Sequence, residues 1–264
     1  MKIAIIGCGN MGSAMINAWL DKDVFKPSDI LVYEKHSEKL KAINSKLKTE
    51  TGDYSKLKSH DVILLAVKPK DILEVAKNIK PHISPKAIVI SIAAGITIKR
   101  IASVLPKAKI IRAMPNMPSK IGMGVVGWSA NKLVTTKEKE IVQTILKATG
   151  YAVCLSNESK INAVSAISGS GPAYVFYFME ALFEAGRKIG LTEKEIIPLV
   201  LCTFTGASAM ASLSDFSLKE LRNQVACKGG TTEEAIRVFD NKKMKQIIAD
   251  AVKAAYKKAG ELNK

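Results

Sequence analysis

A chain of 264 residues, 47% hydrophobic and 24% charged, has ordinary globular composition and the length for two domains. Its net charge of +16 comes from lysines and arginines spread along the chain, with no long basic run and no interleaved aromatics. That argues against a nucleic-acid surface and for a solvated surface favouring anionic small molecules. Cys8, Cys154, Cys202 and Cys227 form no Cys-x-x-Cys pair, and only three histidines accompany them, which excludes a zinc framework, a disulfide scaffold and a histidine-based hydrolase.

The first strand signal begins at residue 2, leaving no room for a signal peptide, and the longest purely apolar run, 173–179, is far too short to cross a bilayer. The expected setting is therefore cytoplasmic, with no membrane partner. The strand runs through Ile3, Ile5 and Ile6 into Gly7, Cys8, Gly9, Asn10, Met11 and Gly12, followed by a helix-like 13–20 carrying Ala14, Ala18 and Trp19. In a Gly-x-Gly-x-x-Gly between strand and helix, the first glycine makes the turn. The second admits a pyrophosphate to the backbone, and the third lets the helix lie close on the strand. The phosphates then meet the free N–H groups of a helix beginning near Asn10.

A second strand over 30–33 ends in Glu34, Lys35 and His36, 22 residues beyond Gly12. Glu34 can accept hydrogen bonds from both ribose hydroxyls of NAD, whereas Lys35 and His36 can neutralise the 2′-phosphate of NADP, so both coenzymes remain open. A helix over 37–45 is expected to be capped by Ser37. A short strand near 48–51 and a loop through Asp53 lead to a buried strand over 62–66, stopped at Val67, Lys68 and Pro69. A strand over 87–91 ends in the small residues Ala93, Ala94 and Gly95, which would let a cofactor pass close. Another over 109–113 is closed by Met114, Pro115, Asn116, Met117 and Pro118, read as a rigid loop rather than a helix. A strand at 124–128, an amphipathic helix at 136–148 and a strand at 151–155 complete a mostly parallel, doubly wound sheet, an α/β Rossmann-type domain over 1–155.

From 156 to 264 strand signals cease and helices are expected over 158–167, 172–189, 192–213, 217–224, 232–240 and 243–262. Pro172 suits a helix N-terminus. Thr192 with Glu195 and Thr231 with Glu234 read as capping boxes, and Pro198 as a kink. The 173–179 helix is apolar around its whole circumference, more than about a hundred helical residues can cover alone, so a second copy of the chain is the expected cover. Gly229 and Gly230 before Thr231 and Thr232 can form a nest of N–H groups that, with the helix dipole, holds a carboxylate.

Ala66-Val67-Lys68-Pro69, Ala93-Ala94-Gly95, Arg112-Ala-Met-Pro115-Asn116, Ser168-Gly-Ser-Gly-Pro-Ala-Tyr174 and Gly229-Gly-Thr-Thr232, in this order and spacing, resemble the pyrroline-5-carboxylate reductase family. The resemblance implies a Rossmann domain followed by an all-α dimerisation domain, a homo-oligomer built as a dimer or ring of dimers, and reduction of a small cyclic imino acid to L-proline by NADPH or NADH. It implies that Gly7 to Gly12, Glu34, Lys35, Asp53, Ala66, Val67, Lys68, Pro69, Ala93, Ala94, Gly95 and Asn116 serve the cofactor. Glu158, Gly229, Gly230, Thr231 and Thr232 would serve the substrate, with Thr232 nearest the imine nitrogen and no metal. The chain departs from the family pattern at Asp53, Asn162, Leu218 and Cys227-Lys228. A β-hydroxyacid dehydrogenase-like oxidoreductase and a non-catalytic nucleotide-sensing protein are the alternatives. The first is disfavoured because Lys160 precedes the glycine cluster instead of following it.

Overall fold

The computed structural model describes residues 1–263, apart from the side chains of Ser37, Lys39, Ala42 and Lys46. The chain divides into two compact units, Met1–Pro172 with Ala255–Lys264, and Ala173–Ala254. The strands end at Cys154, yet the first unit continues well past the 155/156 boundary expected from sequence and takes back the end of the chain.

The first unit is built on an eight-stranded sheet ordered β3-β2-β1-β4-β5-β6-β7-β8. Its strands are β1 (Ile3–Ile6), β2 (Ile30–Tyr33), β3 (Glu50–Thr51), β4 (Val62–Leu65), β5 (Ile88–Ser91), β6 (Lys109–Met114), β7 (Gly124–Ala130) and β8 (Gly150–Cys154). β1 to β6 run parallel; β7 is antiparallel to β6 and parallel to β8. β1, β4 and β5 are wholly buried, because helices cover both faces and leave no solvent side for alternation.

On one face, Ile3 and Ile5 pack with Met15, Ile16 and Trp19 of α1 (Asn10–Asp21) and with Val142, Ile145 and Leu146 of α5 (Thr136–Lys147). The Trp19 indole donates to the Ile145 carbonyl at 2.8 Å, satisfying the one polar atom of a fully buried ring. On the other face, Ala4 and Ile6 pack with α3 (Ile72–Ile79) and α4 (Ile98–Val104). α2 (Ser37–Leu47) has His36, not Ser37, at its N-cap position; the Ser37 side chain lies outside the described residues. The proline-bounded loop after β6, expected as a rigid loop rather than a helix, contains a 3-10 turn, Met117–Ile121.

The segment expected as one helix over 158–167 is a 3-10 turn (Glu158–Lys160), a single α turn, α6 (Ile161–Val164), and a π turn (Ser165–Gly169). The Ser165 and Ser168 hydroxyls donate back to the carbonyls of Ile161 and Val164, competing with the regular helical ladder.

The second unit is helical: most of α7 (Gly171–Lys188), α8 (Glu193–Leu213), α9 (Leu218–Val225), α10 (Thr231–Asn241), and α11 (Met244–Glu261) up to residue 254. The Thr192/Glu195 capping box forms and α8 runs on through Pro198. The box expected at Thr231 does not form: Gly230 is the N-cap, Thr231 is already helical, and no side chain caps the end. Within this unit Phe176 is 51% and Tyr177 71% exposed, so the expected burial of the 173–179 helix is not achieved by one chain. α8, with a mean hydropathy of 1.8, is long and apolar enough by composition to span a bilayer, a feature the longest-run criterion missed.

Candidate active site

A cleft of about 390 Å³ opens at the carboxyl edge of the parallel strands, where the order reverses between β1 and β4. This is where doubly wound sheets take their ligands. Gly7, Gly9, Glu34, Lys35, Ala66, Val67 and Lys68 of the expected set line it, as do Tyr33, His36, Tyr54, Lys70, Glu74, Val75 and Asn78.

The three glycines have separable reasons. Gly7 turns the chain at φ +88°, and a Cβ there would lie 2.6 Å from Val67. A Cβ on Gly12 would lie 2.7 Å from the Gly7 carbonyl oxygen, so only glycine lets α1 begin this close to the strand. Gly9 has nothing within 4 Å of its Cβ position. It is exposed, at the N-terminus of a 12-residue helix with no acidic side chain in its first turn. Open space over free helical N–H groups fits a dinucleotide pyrophosphate. Asn10 is exposed and Met11 half-buried in that first turn, while Cys8 is buried beneath it. Burial pushes the Cys8 thiol up, against the hydrogen bond with Ser13 and with the Glu34 charge adding to it.

Both carboxylate oxygens of Glu34 are engaged: Oε2 accepts the Cys8 N–H at 3.0 Å and Oε1 the His36 N–H at 3.2 Å. Glu34 thus braces the glycine loop, while Lys35 and His36 stay exposed at the cleft. The Tyr33 and Tyr54 rings stack 4.3 Å apart, and burial together with the hydrogen bond to Tyr33 pushes the Tyr54 phenol above its ordinary range. Asp53 points elsewhere: it caps the turn Tyr54–Ser59 by accepting from the Ser55 N–H at 2.9 Å, and the Ser55 hydrogen bonds hold its carboxyl below the usual range.

Pro69 starts the 3-10 turn Pro69–Asp71 that leads into α3; Lys70 and Asp71 of that turn line the cleft, while Pro69 itself does not. Ala93, Ala94 and Gly95 follow β5 on the same edge, also outside it. Gly95 has φ +74°, and its Cβ direction is filled by the Leu262 carbonyl at 2.6 Å, so the glycine admits the returning chain end. Asn116 is likewise committed: its Oδ1 accepts from the Val125 N–H at 2.9 Å and its Nδ2 donates to the Ser168 carbonyl at 3.1 Å, tying the loop to the π turn.

Glu158 Oε1 accepts from Arg112 Nη1 at 3.0 Å and from the Ile98 N–H at 2.8 Å. Arg112 was not singled out from sequence beyond its motif. The signal was there, because a cation inside an apolar strand demands an anionic partner. The described residues contain no cluster of three or more His, Cys, Asp or Glu suited to a metal.

In the second unit, Gly229 has φ +74° and its N–H donates to Glu233 Oε2 at 2.7 Å, closing the loop onto the first turn of α10. Gly230 N–H donates to the Cys227 carbonyl at 3.0 Å. Both glycine amides are therefore used internally, and the amides of the first turn beyond Gly230 have no partner within the helix. Thr231 is exposed and Thr232 half-buried in that turn.

A pyrroline-5-carboxylate reductase from Haemophilus influenzae is 36% identical over 265 residues, covering 98% of this chain and 97% of that protein. The chain belongs to the pyrroline-5-carboxylate reductase family. The family model for pyrroline-5-carboxylate reductase dimerisation matches residues 158–262, and that for NADP oxidoreductase, coenzyme F420-dependent, matches residues 2–95. The structure of the Coxiella burnetii pyrroline-5-carboxylate reductase superposes with a TM-score of 0.94 at 37% identity, covering 100% of this chain and 98% of that one. That of Plasmodium falciparum pyrroline carboxylate reductase, solved with NADP bound, gives 0.88 at 28% identity, with the same coverage. The dimerisation match spans the helices whose apolar faces a single chain leaves exposed.

Proposed function

We propose that the chain reduces Δ1-pyrroline-5-carboxylate to L-proline with NADPH or NADH, in the cytoplasm, as a homo-oligomer. Residues 1–155 bind the dinucleotide and 156–264 pair the subunits and hold the substrate. The observation that carries this reading is full-length agreement with pyrroline-5-carboxylate reductases, across the glycine-loop strands and the apolar helices alike.

The dinucleotide supplies a hydride to the imine carbon. The chain's residues bind, orient and move the proton. The N-terminus of α1 holds the pyrophosphate over Gly9, and Lys35 with His36 meet a 2′-phosphate when present. The free amides at the start of α10, with Thr231, hold the substrate carboxylate. Glu158, kept in place by Arg112, is the first unit's candidate contact for the substrate. As the hydride arrives, the C=N electron pair passes to nitrogen, which takes a proton delivered from bulk solvent through a water held by the Thr232 hydroxyl. Thr232 is a positioner and relay, because a hydroxyl is too weak an acid to act as a conventional general acid. The surplus of positive charge favours an anionic substrate and coenzyme.

The test is loss of reduced-nicotinamide absorbance on adding pyrroline-5-carboxylate, run with both coenzymes and repeated with a 3-keto acid. Proline formed stoichiometrically is the expected result. Oxidation only with the keto acid, or with neither, overturns the proposal.

A further inference from the structure

Beyond Glu261 the chain leaves α11 and lies against the sheet domain within the first unit. Two links tie this end to one short stretch, 95–98: one direct, and one that runs through Arg112 and Glu158. The Leu262 main chain occupies the space where Gly95 would carry a Cβ. Asn263 Oδ1 accepts from Arg112 Nη2 at 2.9 Å, and its Nδ2 donates to Asn162 Oδ1 at 2.8 Å. Arg112, its side chain only 4% exposed, gives its other nitrogen to Glu158, whose oxygen also holds the Ile98 N–H. A buried guanidinium held between Glu158 and Asn263 is fixed by both, and losing one partner frees the other contact to shift.

The place matters because 95–98 follows β5. In a doubly wound sheet of this order, a dinucleotide bound across the β1/β4 reversal would lay its adenosine half toward β2, beside Glu34 and Lys35, and its nicotinamide half toward β5. We infer that Leu262 and Asn263 form a clasp that fixes the 95–98 turn under the nicotinamide half, with Asn263 a positioning residue acting through Arg112 and Glu158. The inference rests on the dinucleotide reading above. It assigns the chain end a part in hydride-transfer geometry that the adenosine-side cleft does not need. Loss of the clasp therefore lowers turnover more than coenzyme affinity, since small displacements of reacting atoms are costly.

The experiment compares Asn263→Ala, Asn263→Asp and the unsubstituted protein. For each, coenzyme-binding sites are counted by reduced-nicotinamide fluorescence titration, and amide hydrogen exchange is followed at 95–98 and in β1 and β4. Expected for Asn263→Ala is a kcat per bound coenzyme lower by about tenfold, the fold-change of one lost hydrogen bond to a charged group. The KM for coenzyme should stay within about threefold, with faster exchange confined to 95–98. Asn263→Asp, which still accepts from Arg112, should restore both. Unchanged kcat per site, equal impairment by Ala and Asp, or exchange rising equally throughout the sheet overturns the clasp. If Asn263→Ala does not fold, Asn263→Ser is judged by the same criteria. If the unsubstituted protein binds coenzyme without reducing pyrroline-5-carboxylate, the proposed reaction fails, and exchange with nicotinamide emission still decides the clasp.

Discussion

Replacing Gly9 by alanine separates fold from function more cleanly than any other change in the glycine loop. Gly9 has φ −74° and ψ −165°, an extended conformation open to alanine, and its Cβ position meets nothing within 4 Å. Lower unfolded-state entropy favours alanine by about 0.4 to 1 kcal/mol, while the poorer N-cap preference of alanine opposes it by a similar amount. The melting temperature should therefore stay within about 3 °C for a chain of this size. The new methyl stands where a pyrophosphate must approach the first-turn amides. Displacing the phosphate weakens one or two charge-assisted hydrogen bonds, each worth about 1.5 to 3 kcal/mol, so coenzyme affinity should fall by roughly ten- to a hundredfold or more. Fluorescence titration of reduced coenzyme alongside thermal melts measures both. A Gly9→Ala protein that binds coenzyme within twofold of the original would refute the path over Gly9. Loss of stability would show that the loop is not as open as the geometry states.

At the substrate end, Thr232→Ala should lower turnover by roughly ten- to a thousandfold, corresponding to about 2 to 4 kcal/mol of lost transition-state interaction. Since Gly230 is the N-cap of α10, Thr231→Ala should leave the melting temperature nearly unchanged, where a capping box would cost about 1 kcal/mol. Near-normal turnover in Thr232→Ala would remove it from the mechanism. His60 supplies a pH dependence. It is buried, its Nδ1 lies 2.9 Å from the Lys56 carbonyl, and desolvation holds its pKa below 6.5. The unfolded chain takes up that proton first, so the contribution is complete above 6.5 and is lost as pH falls through the lowered native value. The melting temperature of His60→Gln should fall less steeply between about pH 7 and pH 5; parallel curves would exclude His60 as the source.

The sequence by itself determined the strands and the glycine loop, because both depend on local chemistry. Runs such as Val62-Ile-Leu-Leu have no solvent face in any context, and Gly7, Gly9 and Gly12 at their spacing admit few other uses. The motif set also determined the family. Tertiary structure decided what each polar group does once its neighbours are in place. Glu34 turned out to brace the loop through Cys8, Asn116 to tie Val125 to Ser168, and Gly95 to admit Leu262. Thr231 carries every capping signal, yet Gly230 takes the position, and Glu233 accepts from the Gly229 amide just before it. Hydrogen bonds between residues 46 or 151 positions apart, as Arg112 makes to Glu158 and Asn263, leave no local pattern. The need for a partner is legible in a buried arginine, but its identity depends on which distant segments the fold brings together.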